Sequence, residues 1–186
     1  MELILASNSP RRKELLSLAK FDFKVITKDV EEVLDNSLPV TKQIEQIAYT
    51  KAFAVAVSNQ DSIVIGADTV VVVDNQILGK PKDEKDAIRM MNLLSNKTHQ
   101  VITAVAVIYN DKVDLFHEIT DVTFFEMSEA EINEYVKLPS IYDKAGAYAI
   151  QEEAALYIKS INGDYYNVMG LPIAKLTKYL KKNFNL

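Results

Sequence analysis

With 186 residues, 48% hydrophobic and 25% charged, the chain is long enough to bury a sizeable core as one domain or two small lobes. A formal net charge of −5 argues against nucleic acid as a partner, which calls for a basic excess, and leaves room for a local basic pocket. There are no cysteines, so disulfides and thiolate metal sites are excluded, and no apolar run approaches the roughly 20 residues that span a bilayer. Residues 1–6 lack the basic leader of a signal peptide, so a cytoplasmic protein with no membrane partner is expected.

Leu3 to Ala6 predicts a first strand. After it, Ser9 is placed to cap a helix whose first position is Pro10. That puts Arg11, Arg12 and Lys13 in the first turn, where the helix dipole disfavours cations by roughly 0.3–1 kcal/mol each. Stability alone would put Asp or Glu there. Cations beside free backbone N–H groups make an anion site, and arginine offers bidentate geometry for phosphate. Phe21 to Ile26 predicts a second strand, followed by an acidic cluster with Glu31 and Glu32. The cluster is either a solvated loop or a source of metal-ligating oxygens.

Pro39 and Thr41 introduce a helix to about Ser58, with Ile44, Ile47, Ala48, Ala52 and Val55 as its apolar stripe. Lys51 lies inside that stripe, so it either snorkels outward or points at something anionic. The central stretch is 62–81. Ile63-Val64-Ile65 reads as a buried strand, and Gly66-Ala67 lets another backbone or a ligand come close. Asp68 then interrupts two apolar runs. Burying it unpaired costs several kcal/mol, so it needs a metal, a cation or the N–H groups of a turn. Asp74-Asn75 is a turn into a second strand at Ile77-Leu78, and Gly79-Lys80-Pro81 closes the unit.

Asp83 caps a helix with Ala87, Met90, Met91 and Leu94 on its core face. A long strand follows from about Gln100 to Tyr109, with a hairpin turn at Asn110-Asp111 and a return strand to Met127. His99 and His117 have no partner at ligand spacing and read as isolated polar residues. Ser128 and Glu131 form a capping box for a helix through Ile132, Tyr135 and Val136. Asp143 to Gln151 mixes charge, small residues and an aromatic without helical or strand period. Leu156 to Ile161 predicts a strand, Asn162 to Pro172 a glycine-punctuated loop, and Pro172 to about Lys182 a closing helix. This alternation predicts an α/β fold with a mixed sheet.

Arg11, Arg12, Lys51, Lys80 and Lys144 supply cations, and Glu31, Glu32, Asp68 and Asp143 supply carboxylates. Together with the small-residue loops they suit a polyphosphate carried with a divalent metal. No Gly-x-x-x-x-Gly-Lys-Ser/Thr loop, G-x-S-x-G elbow or cysteine nucleophile is present, which favours attack by an activated water.

The blocks Ser7-Asn8-Ser9-Pro10-Arg11-Arg12, Lys51-Ala52, Gly66-Ala67-Asp68-Thr69-Val70, Gly79-Lys80-Pro81, Asp143 to Tyr148 and Gly170-Leu171-Pro172 closely resemble the Maf (septum-formation) family of nucleotide pyrophosphatases. The resemblance covers nearly the whole chain. It implies an inosine triphosphatase-like fold: a single Maf-like domain over 1–186, two α/β lobes around an elongated mixed sheet, the nucleotide in the cleft between them, and a homodimer. It also implies hydrolysis of a nucleoside triphosphate to monophosphate and pyrophosphate with a divalent cation, Mg²⁺ or Mn²⁺. Asp68 would accept the water's proton. Glu32, Glu31 and Asp68 would hold metal, and Ser7, Ser9, Arg11, Arg12, Lys51 and Lys80 would bind the triphosphate. Asp143 and Lys144 would line the cleft.

Within the family, Arg11-Arg12, Thr69 and Ile150-Gln151 look like the dTTP/UTP branch, with Arg11, Thr69 and Gln151 as specificity residues. An amide such as Gln151 can pair with the O4/N3 edge of uracil or thymine through one acceptor and one donor. Ala149 and Glu152 stand where that branch usually has glycines, and Gln46 where many members have Arg. The alternatives are the family's 7-methyl-GTP pyrophosphatases and a nucleotide-sensing regulator of septum formation with vestigial hydrolysis.

Overall fold

The computed structural model describes residues 1–184 and 186. In chain order the elements are β1 (Glu2–Leu5), α1 (Pro10–Leu18), β2 (Phe23–Val25), α2 (Val40–Ala56), β3 (Ser62–Val73), β4 (Gln76–Leu78) and α3 (Glu84–Leu94). The second half holds β5 (Thr98–Tyr109), β6 (Lys112–Phe124), α4 (Glu129–Tyr135), β7 (Ile158–Asn162), α5 (Tyr165–Met169) and α6 (Ile173–Phe184). Short 3-10 turns occupy Pro139–Asp143, Ala145–Ala147 and Glu153–Leu156. The strands form a seven-stranded sheet in the order β2-β1-β3-β5-β6-β7, with β4 also paired to β3. It is mixed: β1 runs parallel to β2 and β3, while β4 and β7 are antiparallel to β3 and β6.

The chain divides into two compact units, one of Met1–Asp68, Thr103–Glu118 and Gly170–Leu186, the other of Thr69–Ile102 and Ile119–Met169. The first unit buries β1 and the start of β3 with Leu15 and Leu16 of α1 and Ile44, Ala48, Ala52 and Val55 of α2. The apolar stripe of α2 is the one its sequence period predicts. The second unit has its own core of Val71, Leu78, Met90, Met91, Leu94, Val122, Phe124, Ile132, Tyr135 and Tyr148. Met90 and Met91 are core residues there, as gap-filling methionines often are.

Local signals place most elements. Ser9 caps α1 by accepting from the Arg12 N–H, Asp83 caps α3, and Ser128 and Glu131 complete both halves of a capping box on α4. Asp74 and Asn75 adopt φ of 48° and 61°, the left-handed pair that a tight hairpin turn requires. Two expectations change. Asp68 sits in no turn: β3 is one continuous strand from Ser62 to Val73 and carries it in mid-strand. The 162–172 segment contains α5, a helix of 5 residues, too short to show a period. It is fastened from outside, because buried Asn167 donates to the Val101 carbonyl and to Thr120 Oγ1, each at 3.0 Å.

Candidate active site

The first unit gathers its charges around the parallel pair β1–β3. Leu5 pairs with Ile65, and the Ala6 N–H donates to the Ile65 carbonyl at 2.7 Å. Ser7 therefore leaves the carboxyl end of β1 beside the part of β3 that leads into Asp68. Carboxyl ends of parallel strands are where open α/β sheets bind ligands. Gly66 has a specific job in this arrangement. A Cβ there would lie 2.4 Å from the Ala48 carbonyl oxygen and 2.8 Å from Ala52 Cβ, both on α2. What the missing side chain admits is the backbone of α2, and this brings Lys51 down onto Asp68.

Lys51 Nζ lies 2.7 Å from Asp68 Oδ1 and 2.9 Å from Glu32 Oε1. The Lys51 and Asp68 side chains are 18% and 13% exposed and that of Glu32 is 53% exposed, so the pair is mostly desolvated and Glu32 closes it from a loop. Of the alternatives left open for Asp68, a cation is the observed partner, and Lys51 points at an anion and does not snorkel away. Glu31 is exposed on the same loop.

The basic turn of α1 forms a second cluster in the same unit. Arg12 donates from Nε to the Gly170 carbonyl at 2.9 Å and from Nη1 to Ser7 Oγ at 3.2 Å. Ser7 Oγ also accepts from the Ser9 N–H at 3.3 Å. No acidic residue occupies the first turn of α1, as the sequence requires for an anion site. Burial pushes the Arg12 guanidinium below its ordinary pKa, Asp68 and Glu32 oppose this, and the Arg11 charge adds to it. An arginine stays protonated regardless, so Arg12 shares an electrostatic field with Asp68 and Glu32. Arg11 is half-buried beside it.

The remaining predicted residues belong to the second unit. Thr69 is half-buried in β3, directly after Asp68. Lys80 is exposed after β4, and Gln151 is exposed in a turn. Lys144 is only 5% exposed; it lies 2.9 Å from Asp143 Oδ1 and 3.2 Å from Glu152 Oε2 and also donates to the Ser140 carbonyl. Glu152 pins the loop through Lys144.

Both histidines have partners that the sequence conceals. His117 Nδ1 is 2.7 Å from the buried Glu45, which also holds Lys42 at 2.7 Å. Burial would raise the Glu45 carboxyl, but hydrogen bonds from Lys42 and His117 outweigh it and leave the group below its ordinary value. His99 Nε2 is 2.7 Å from the Tyr148 hydroxyl.

A divalent cation fits the Asp68–Glu32 pair. Two hard carboxylate oxygens already share one positive charge, and Mg²⁺ commonly takes one or two carboxylates with substrate phosphates and water. Among the described residues no group of three or more His, Asp and Glu side chains is placed to hold a metal alone, so phosphate oxygens or water would complete the shell.

Among solved structures, the Ham1 protein of Staphylococcus aureus matches with a TM-score of 0.58 at 16% identity, covering 98% of this chain and 99% of the other. A HAM1 protein from Coxiella burnetii gives 0.55 at 14% identity, with 98% and 99% covered. At such identities the likeness shows the fold alone, a mixed-sheet α/β fold. A family model described as Maf-like protein matches residues 2–183, and the chain belongs to that family. Two curated relatives are called dTTP/UTP pyrophosphatase, one from Bacillus cereus (strain Q1) and one from Bacillus thuringiensis subsp. konkukian (strain 97-27). Each is 48% identical over 185 residues, which span 100% of this chain and 96% of the relative.

Proposed function

We propose that this protein hydrolyses dTTP and UTP to the nucleoside monophosphate and pyrophosphate. The observation that carries the reading is the Lys51 ammonium holding Asp68 and Glu32 at 2.7 and 2.9 Å. Full-length likeness to relatives bearing that name supports it. Water adds to the α-phosphorus, the bond to the bridging oxygen of the β-phosphate breaks, and pyrophosphate leaves with the electron pair.

Asp68 accepts the attacking water's proton. Its mid-strand backbone and its contact with Lys51 fix the carboxylate, so little reorganisation is needed at the moment of attack. Lys51 releases one carboxylate to bind a phosphate oxygen. Arg11, Arg12 and the α1 N-terminus with Ser7 and Ser9 receive further oxygens, where charge grows as the leaving group departs. Lys80 adds a cation, and Thr69 and Gln151 select the base. Asp68 and Glu32, with Glu31 nearby in sequence, would hold a divalent cation, whose charge neutralises the phosphate oxygens. We place the enzyme in the cytoplasm as a homodimer; among the described residues no helix is long and apolar enough to cross a membrane.

The deciding experiment incubates purified protein with UTP or dTTP and Mg²⁺ and measures pyrophosphate and monophosphate in equal amounts over many turnovers. Tight binding of one nucleotide per site without pyrophosphate would overturn the reading in favour of a nucleotide sensor. Preference for 7-methyl-GTP in the same assay would overturn the base assignment alone.

A further inference from the structure

The segment that carries Gln151 is unusually constrained on its upstream side. The Gly146 N–H donates to the Gly79 carbonyl at 2.9 Å, and Gly146 has φ of 68°, where a Cβ would lie 2.9 Å from Val71 Cγ2. Ala147 follows at φ 60°, a left-handed conformation that costs a side-chain-bearing residue roughly 1 kcal/mol or more. Its carbonyl accepts from the Tyr135 hydroxyl at 3.2 Å. Beyond it, Ala149 and Ile150 are buried, and the Glu152 N–H donates to the Ala149 carbonyl at 3.2 Å. Gln151 is thus the exposed member of a turn whose two preceding residues are fixed in the core.

Between the strained backbone and that turn lies Tyr148, 6% exposed, with its hydroxyl 2.7 Å from His99 Nε2. His99 is 1% exposed in β5, and the rings of His99, Tyr148 and Phe124 pack edge to face with centroids 5.1 to 5.4 Å apart. The ring packing sets the tilt of Tyr148, but an edge-to-face contact lets a ring slide. The hydrogen bond removes that freedom. Such a bond inside an apolar core is costly to leave unmade, so the tyrosine cannot shift without orphaning two buried polar atoms. His99 Nδ1 already lacks a partner among the described residues, so this imidazole has no second bond to fall back on.

We infer that His99 is a positioning residue for base selection: by holding the Tyr148 hydroxyl it fixes the placement of Gln151, and so sets uracil and thymine against cytosine without touching the nucleotide. The inference rests on the assignment of Gln151 as the reader of the base. Burial holds the imidazole neutral, with its pKa lowered to about 4, so the strut does not change charge near neutral pH.

The test compares kcat/KM for UTP and CTP in wild type, Gln151→Glu, Tyr148→Phe, His99→Gln and His99→Leu. Tyr148→Phe deletes the hydroxyl and keeps the ring packing, so it is the variant expected to disturb the core least. A displacement near 1 Å at a binding group is expected to lower the UTP:CTP ratio about 10-fold through KM for UTP, with kcat held within about twofold. His99→Leu should match Tyr148→Phe, combining His99→Leu with Tyr148→Phe should add little, and the amide of His99→Gln should recover part of the ratio. A merely structural role would lower activity on both nucleotides by one factor and leave the ratio unchanged. That outcome, with Gln151→Glu still shifting the ratio, overturns the inference alone. An unchanged ratio in Gln151→Glu overturns the base-reader assignment and the inference with it.

Discussion

The charged centre of the first unit and the 143–152 segment of the second hold their residues by opposite means. Around Asp68 the fastening is ionic and exchangeable: one ammonium serves two carboxylates, and Glu32 comes from a loop with its side chain half in solvent. Around Gln151 the fastening is chiefly backbone hydrogen bonds and buried rings, with one ion pair from Lys144 to Glu152 at the margin. A site that handles charge must let its partners change as substrate arrives. A surface that discriminates shapes must not yield.

Substitutions that reverse these roles test the contrast. The largest effect is expected for Asp68→Asn, which keeps shape and removes basicity. It should lower kcat about 10³-fold while the protein stays folded, because Lys51 retains Glu32. Steady-state kinetics beside a thermal melt will tell; near-normal turnover would assign Asp68 a structural role. Next is Gly66→Ala, whose new methyl meets backbone and not a yielding side chain. A loss of about 3 kcal/mol is expected, read as a lower denaturant midpoint, with turnover falling as Lys51 is lifted. Unchanged stability and activity would mean that α2 moves away freely.

Acid separates the two units by pH window, read at one buried group in each. The neutral form of His99 is favoured in the fold, with a pKa of about 4 against an ordinary 6.5, so the unfolded chain takes up the proton first. The stability this group confers is whole above pH 6.5 and is lost as pH falls from 6.5 towards 4, by about 3 kcal/mol in all. In Glu45 the carboxylate is favoured, so its contribution is whole above its ordinary 4.5 and is lost only below that. Melting curves of wild type and His99→Gln between pH 7 and 4.5 should therefore diverge. Parallel curves would remove His99 from the account of stability. The smallest effect belongs to Lys144→Met. Asp143 and Glu152 are 64% and 34% exposed and can be resolvated, so about 1 kcal/mol is expected with kcat/KM within about twofold. A tenfold rise in KM would instead put Lys144 on the nucleotide.

The fold was legible wherever the signal is local. Ser9-Pro10, Asp83, the Ser128 capping box and Asp74-Asn75 each announce a boundary through residues within a few positions of one another. The pieces of the candidate site stood out for a related reason: a cation run at a helix start is locally unfavourable. Pairings were not legible. Lys51 lies 17 residues from Asp68, and His99 lies 49 from Tyr148. Spacing leaves such partners open, because only the approach of α2 at Gly66, or the packing of β5 against the 143–152 segment, selects them. The short α5 escaped for the same reason, since Asn167 and Thr120 hold it and its own sequence does not.

The bond from Arg12 to the Gly170 carbonyl spans 158 positions of sequence. The first unit takes its pieces from 1–68, 103–118 and 170–186, while the second lies between them along the chain. A chain emerging from the ribosome has thus made Asp68, Lys51 and Glu32 long before it makes the carbonyl that steadies Arg12. The basic turn of α1 waits, uncapped on that side, through most of synthesis. The full set of bonds on Arg12 is therefore complete only late, and a product truncated before Gly170 keeps the acid–lysine cluster and the Ser7 contact but lacks the carbonyl that receives Arg12 Nε.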